Sequence, residues 1–146
     1  MRYIGSKAST LPIVRSIILR YAGDSRRLCD PFGGVGTVSA GFRAIGYDVW
    51  TGDTLTFAHY FQRCRVGISR FPAFSGLRQV MGLTARDQIE SALNSGESKR
   101  GWLLREYSTR RRFFTESNAR RIEYCRSTIL AWMEWGLLSE EEYVLL

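Results

Sequence analysis

The chain has 146 residues, 45% of them hydrophobic and 24% charged, which is the balance of one globular domain able to bury a core. No apolar run is long enough to span a bilayer, and the opening MRYIGSKAST lacks an apolar signal core, so a cytoplasmic location without membrane contact is expected. The formal net charge is +7, and it is unevenly spread.

Residues 11–22 place Leu11, Val14, Ile17, Ile18 and Tyr21 on one helical face. Ser9 or Thr10 can cap this helix, and Pro12 is tolerated in its first turn. Gly23-Asp24 ends it. Residues 27–30 read as a short strand running into the turn Gly33-Gly34-Val35-Gly36. A helix is expected over 37–45, with Gly46 at the cap position, then a second strand over 47–51 closed by Asp53. A helix over 54–65 follows. The order strand–turn–helix–strand implies parallel strands joined by a crossover. Residues 67–112 have weak periodicity and read as loops with one short helix over 85–94. From Thr115 onward Ala119, Ile122, Ile129 and Trp132 recur at helical spacing, with Gly136 after the last turn. Ser139-Glu140-Glu141-Glu142 is a capping box that starts a final helix.

Charge is uneven along the chain. Between Lys99 and Arg126 nine basic residues face only Glu106, Glu116 and Glu123, so this stretch carries +6 of the +7. Such clustering suits nucleic acid, and Arg110, Arg111, Arg112 and Arg120 are the candidate contacts; the alternative is a solvated helix face. Cys29, Cys64 and Cys125 are far apart and lack a C-x-x-C pair, so structural thiols and no metal site are expected. The single histidine, His59, falls on a predicted helix and reads as a surface or packed residue.

The informative unit is Leu28-Cys29-Asp30-Pro31-Phe32-Gly33-Gly34-Val35-Gly36-Thr37-Val38. A strand ends in an acid, glycines let a ligand approach the backbone, and a helix begins. Asp53, at the end of the next strand, is placed to accept hydrogens from the hydroxyls of a ribose. This pattern suits an adenosine ligand in general. Two details separate the candidates. The dinucleotide fingerprint G-x-G-x-x-G/A fails at Ser39, and Asp30 would repel a diphosphate. An acid before the turn suits the ammonium of a methionyl group instead. A tight turn with no ligand is the bland alternative.

With these elements the chain resembles the Dam-like class of adenine-N6 DNA methyltransferases. The resemblance starts at Arg2-Tyr3-Ile4-Gly5-Ser6-Lys7, similar to the aromatic–x–Gly–x–Lys element that opens those enzymes, and runs through Asp30-Pro31-Phe32-Gly33-Gly34-Val35-Gly36 and Gly52-Asp53. Phe113 to Ile122 and Gly136 to Tyr143 resemble one branch of the class. It implies a partial Rossmann-like S-adenosylmethionine-dependent α/β fold with a helical C-terminal segment. Residues 1–66 would form the cofactor-binding core, and 67–146 a basic helical segment for DNA or partner contact. It also implies S-adenosylmethionine as cofactor, held by Tyr3, Lys7, Asp30, Phe32, Gly33, Gly34 and Asp53, with core packing the equal alternative for Phe32, and double-stranded DNA as substrate, in a restriction–modification setting.

The departure is as informative as the match. The class uses an Asp/Asn-Pro-Pro-Tyr/Phe element to hold the adenine amino group and stack on the flipped base, and no such tetrapeptide occurs among these 146 residues. The expected activity is therefore that of the cofactor-binding half of a split methyltransferase, with no catalytic residue of its own and active only with a second chain that carries the element. The alternatives are a degenerate methyltransferase that binds DNA or regulates an active enzyme, a fragment of a longer enzyme, and a nicotinamide-dependent oxidoreductase fragment.

Overall fold

A computed structural model describes residues 7–85 and 87–146. The chain divides into two compact units: one runs up to Phe71 and takes in Leu145, the other runs from Pro72 to Val144 and takes in Leu146.

The first unit is built on helix α1 (Leu11–Tyr21), strand β1 (Arg27–Asp30), helix α2 (Thr37–Arg43), strand β2 (Asp48–Thr51) and helix α3 (Thr56–Gln62), which runs on as a π-helical turn over Arg63–Gly67. The strands pair in parallel, Arg27 opposite Asp48 and Asp30 opposite Thr51, as the strand–helix–strand order requires. Period-two alternation puts Leu28 and Val49 on the covered face and Cys29 and Trp50 on the exposed one. The core is Val38, Phe42 and Tyr47, with Leu11, Val14 and Ile18 of α1 and Leu28 and Val49 of the sheet packed around it. The Phe42 and Tyr47 rings meet edge to face with centroids 5.0 Å apart, a favoured aromatic geometry.

Local signals explain most boundaries. Gly46, at φ +87°, closes α2 with its N–H on Arg43 O (3.0 Å) while Tyr47 N–H reaches Phe42 O (3.1 Å), a Schellman ending. The helix is shorter than its expected span to residue 45 because this motif consumes its last turn. The expected cap on α1 does not form: the Thr10 hydroxyl donates back to Lys7 O at 3.2 Å, and Thr10 itself has helical backbone angles.

The second unit holds α4 (Ser75–Met81), α5 (Asp87–Asn94), a π-helical segment over Leu104–Arg110, α6 (Glu116–Glu134) and α7 (Glu140–Leu145). Here α4 and the π-helical segment correct the expectation of loops over 67–112. Phe74, the residue before α4, has φ +54° and offers no capping oxygen, and Gly76 disfavours helix, so local propensity argues against α4. Burial of Phe74 and Leu77 overrides it, and the Gly76 position is so close to Leu137 that a Cβ would sit 2.6 Å from its carbonyl oxygen. The π-helical segment has no single-turn sequence signal; its five-residue bonds, such as Arg111 N–H to Glu106 O at 3.1 Å, arise where the ladder takes in an extra residue. Thr115 caps α6 through Asn118 N–H. Gly136 ends α6 with the same Schellman pattern as Gly46. The Ser139–Glu142 capping box is complete, with both reciprocal bonds present. No described helix is long and apolar enough to cross a membrane.

Candidate functional site

In the first unit the ends of β1 and β2 bring two carboxylates to the glycine turn. Asp53 Oδ2 accepts the Gly34 N–H at 2.9 Å, and its Oδ1 accepts the Leu55 N–H at 3.0 Å. The turn is also sewn to the segment after β2 by Gly33 N–H to Gly52 O (2.9 Å) and Gly52 N–H to Asp30 O (3.0 Å). Asp30 Oδ2 accepts the Ser39 hydroxyl at 2.7 Å, and Ser39 Oγ lies 3.0 Å from Thr51 Oγ1. A hydroxyl has one hydrogen, so Ser39 gives its own to the carboxylate and takes one from Thr51. Gln62 on α3 donates to Gly34 O at 2.9 Å. Ser39 and Gln62 are buried, so these are hydrogen bonds in a low-dielectric setting, where an unmet partner is expensive.

Gly33 is required by space. A Cβ there would collide with Thr51 Oγ1 and stand 3.0 Å from Gln62 Nε2 and 3.3 Å from Asp30 Oδ2. Gly36 is required by conformation: it sits at φ +74° immediately before α2.

Of the expected cofactor residues, Asp30, Gly33, Gly34 and Asp53 are brought together. Phe32 lies on the same turn and is 76% exposed, so it is a surface aromatic and not part of the core. Lys7 is exposed, and its ammonium makes no hydrogen bond or ion pair to any described residue; only its carbonyl is engaged, by Thr10. Tyr3 lies outside the described residues. The network contributes three residues that the sequence did not single out as cofactor contacts: Ser39, Thr51 and Gln62. Ser39 was visible as the position where the dinucleotide fingerprint fails, and Gln62 as a glutamine four residues after Ala58 on the buried side of α3.

A carboxylate offers roughly four acceptor positions, and the described contacts use two on Asp53 and one on Asp30, whose Oδ1 has no hydrogen-bond partner among the described residues. The remaining capacity, beside an exposed aromatic ring, fits a ligand rich in donors and positive charge. S-adenosylmethionine has that character through its ammonium, its sulfonium and its ribose hydroxyls. A separate 390 Å³ pocket beside β2 meets the network only at Thr51 and Gln62; Arg43, His59 and Arg63 line it, a setting that does not suit a cation.

In the second unit the basic stretch is held from beneath. Glu123 of α6 is 4% exposed; its Oε2 accepts the Leu103 N–H at 2.6 Å, and its Oε1 accepts Arg126 Nη2 at 3.1 Å. Gly101 rests on this side chain so closely that a Cβ would collide with the carboxyl carbon. The Ser98 N–H donates to Arg120 O at 3.1 Å. Among the candidate DNA contacts, Arg110 reaches Glu106 at 3.4 Å, and Arg120 grips Glu116 with Nη2 at 2.6 Å. The Arg111 guanidinium stands 5.4 Å from the Tyr107 ring centroid. Arg112 is exposed and has φ +53°, a left-handed backbone that costs an L-residue energy. Glu106 also takes Arg105 Nε at 2.9 Å, and chiefly this bond holds its carboxyl below the usual glutamate range, with the Arg110 charge adding to it.

Three known proteins are similar to the chain along nearly its full length. The type II methyltransferase M.FokI of Planomicrobium okeanokoites is 28% identical over 100% of the chain and 23% of its own length. The modification methylase StsI of Streptococcus sanguinis is 28% identical over 98% of the chain and 22% of its own length. The modification methylase LlaI of Lactococcus lactis subsp. lactis is 26% identical over 98% of the chain and 23% of its own length. The chain thus spans less than a quarter of the length of these relatives. No family model matches it, and no solved structure does.

Proposed function

We propose that the chain is the S-adenosylmethionine-binding part of an adenine-N6 DNA methyltransferase of the Dam-like class. The observation that carries this reading is the pair of carboxylates at or just past the ends of adjacent parallel strands beside one glycine turn, Asp53 bonded to the Gly34 N–H and Asp30 to the Ser39 hydroxyl, with acceptor positions to spare. The similarity to three methyltransferases along the whole chain supports it. Asp53 accepts the ribose hydroxyls, Asp30 faces the methionyl ammonium, and Gly33 and Gly34 let the ligand approach the backbone. Phe32 packs on the ligand, and Lys7 and Tyr3 belong to the same pocket. The cofactor supplies an electrophilic methyl group, and the protein's share of catalysis is to hold it in line for displacement.

The base-binding element is absent from this sequence, so a second polypeptide segment must bring it. Among the described residues the sheet has two strands and leaves Cys29 and Trp50 on an exposed face, which supports a second chain in that role, because parallel sheets are ordinarily buried on both faces. The share of the relatives that is matched favours a second reading, in which the segment is part of a longer enzyme of the same kind. Arg110, Arg111, Arg112 and Arg120 belong to the DNA side in either case.

Two experiments test this. Asp53→Ala is expected to weaken S-adenosylmethionine binding by about 1–3 kcal/mol, the range for a hydrogen bond to a charged group; unchanged affinity by calorimetry removes Asp53 from the site. Labelled methyl transfer to adenine N6 in DNA is expected only when a chain carrying the tetrapeptide is added. Robust transfer by this chain alone refutes the split reading.

A further inference from the structure

We infer that the DNA backbone is gripped by a pocket at residues 99–109, formed by Lys99, Arg100, Trp102, Arg105 and Thr109, with the phosphodiester as ligand; this rests on the DNA-methyltransferase reading. The pocket has a volume of about 480 Å³. Its chemistry differs from that of the arginines further along the stretch. Arg110 and Arg120 each face a glutamate, whereas the side chains of Lys99 and Arg100 make no ion pair with any described residue. Arg105 shares Glu106 with Arg110, so one carboxylate is divided between two guanidinium groups.

The pocket is built, not merely charged. Trp102 is 52% exposed, yet its ring is fixed edge to face against Tyr107 at 5.4 Å, and Tyr107 in turn meets Phe113 at 5.9 Å and Phe114 at 6.3 Å. The backbone under Lys99 and Arg100 is held at both ends, by Ser98 N–H on Arg120 O and by Leu103 N–H on the buried Glu123. Cations that stand on an anchored backbone lose less entropy when a ligand binds. An indole set among cations offers a flat surface for a sugar or base next to the bound phosphate. Glu123 is a positioning residue here: its charge is turned inward to Leu103 and Arg126, away from the ligand.

The test is fluorescence anisotropy of a labelled DNA duplex with the full chain across a salt series. The variants are the triple Lys99→Gln/Arg100→Gln/Arg105→Gln, Trp102→Ala, Trp102→Phe, and a charge-matched control, Arg15→Gln/Arg20→Gln/Arg27→Gln, all at exposed positions. The first triple is expected to reduce the slope of log affinity against log salt by about 2–3, since each phosphate left without its cation removes about 0.9. Trp102→Ala is expected to weaken binding about five- to fiftyfold with the slope unchanged, and Trp102→Phe to restore most of it. The control triple is expected to change the slope by less than about 0.9, the value of a single phosphate. A wild-type slope in the first triple, or an equal loss in the control, overturns the pocket while leaving DNA binding intact. Stronger competition by polyglutamate than by unlabelled DNA of equal charge also overturns it and assigns the pocket to an acidic protein. If the wild-type chain shows no salt-dependent DNA binding, the DNA reading fails, and the pocket with it.

Discussion

The glycine turn of the first unit and the basic stretch of the second are held by the same device and present opposite surfaces. In one, Asp53 reaches back 19 residues to the Gly34 N–H; in the other, Glu123 reaches back 20 to the Leu103 N–H. A carboxylate gripping a backbone donor fixes a loop more firmly than a neutral acceptor does, because the bond is charge-assisted. What differs is burial. Asp53 is only partly buried and keeps acceptor positions that a ligand can use. Glu123 is buried and out of a ligand's reach, so the surface above it is defined by the cations the loop carries. One anchor keeps capacity that a ligand could use, and the other is scaffolding.

The largest effect expected from breaking that parallel is on the scaffold. Glu123→Ala leaves the part-buried Leu103 N–H unmet and a void under Gly101, and is expected to cost about 2–4 kcal/mol of stability in the second unit. Urea unfolding followed by circular dichroism and tryptophan emission measures it, with Glu123→Gln expected to recover part of the loss. A stability change below about 0.5 kcal/mol, the level of an ordinary surface substitution, contradicts the anchoring role. On the other side, Gly33→Ala forces Thr51 or Gln62 to move and is expected to cost about 1–3 kcal/mol, as overpacking does, together with a loss of S-adenosylmethionine affinity. If stability falls and affinity does not, the turn is structural only.

The smallest effect concerns pH. The Glu106 carboxyl is held below its ordinary range, so whatever it contributes is present at pH values above that range and fades as pH falls through the lowered value. Acidification is expected to release Arg105 and Arg110 together. Side-chain carboxyl NMR should give a Glu106 midpoint below that of an unpaired glutamate, and high salt should raise it, because the two arginines are exposed. A midpoint at the ordinary value means that the pairing does not persist in solution.

How far the residues announced all this depends on whether a feature is local. The parallel pair β1–β2, the glycine endings at Gly46 and Gly136 and the Ser139 capping box each follow from a few neighbouring residues, and each forms where expected. Asp30 and Asp53 stood out because strand ends and glycine turns have a short-range signature. Their meeting at one turn follows from the parallel register; what each one binds does not. Helix α4 was hidden because Phe74 and Gly76 oppose it locally, and only tertiary burial of Leu77 favours it. Glu123 was hidden for a related reason: a glutamate in a helix beside Arg126 reads as a solvated ion pair until its side chain is seen beneath Gly101.

Trp50, which is 72% exposed on the open face of the sheet, makes the first unit optically addressable. The chain has four tryptophans, and the other three, Trp102, Trp132 and Trp135, all belong to the second unit. A protein in which Phe replaces those three would emit from the sheet face alone. Its red-shifted, readily quenched emission would turn blue and resist acrylamide whenever another polypeptide lay against that face, so assembly could be timed in a stopped-flow mixer with no label attached.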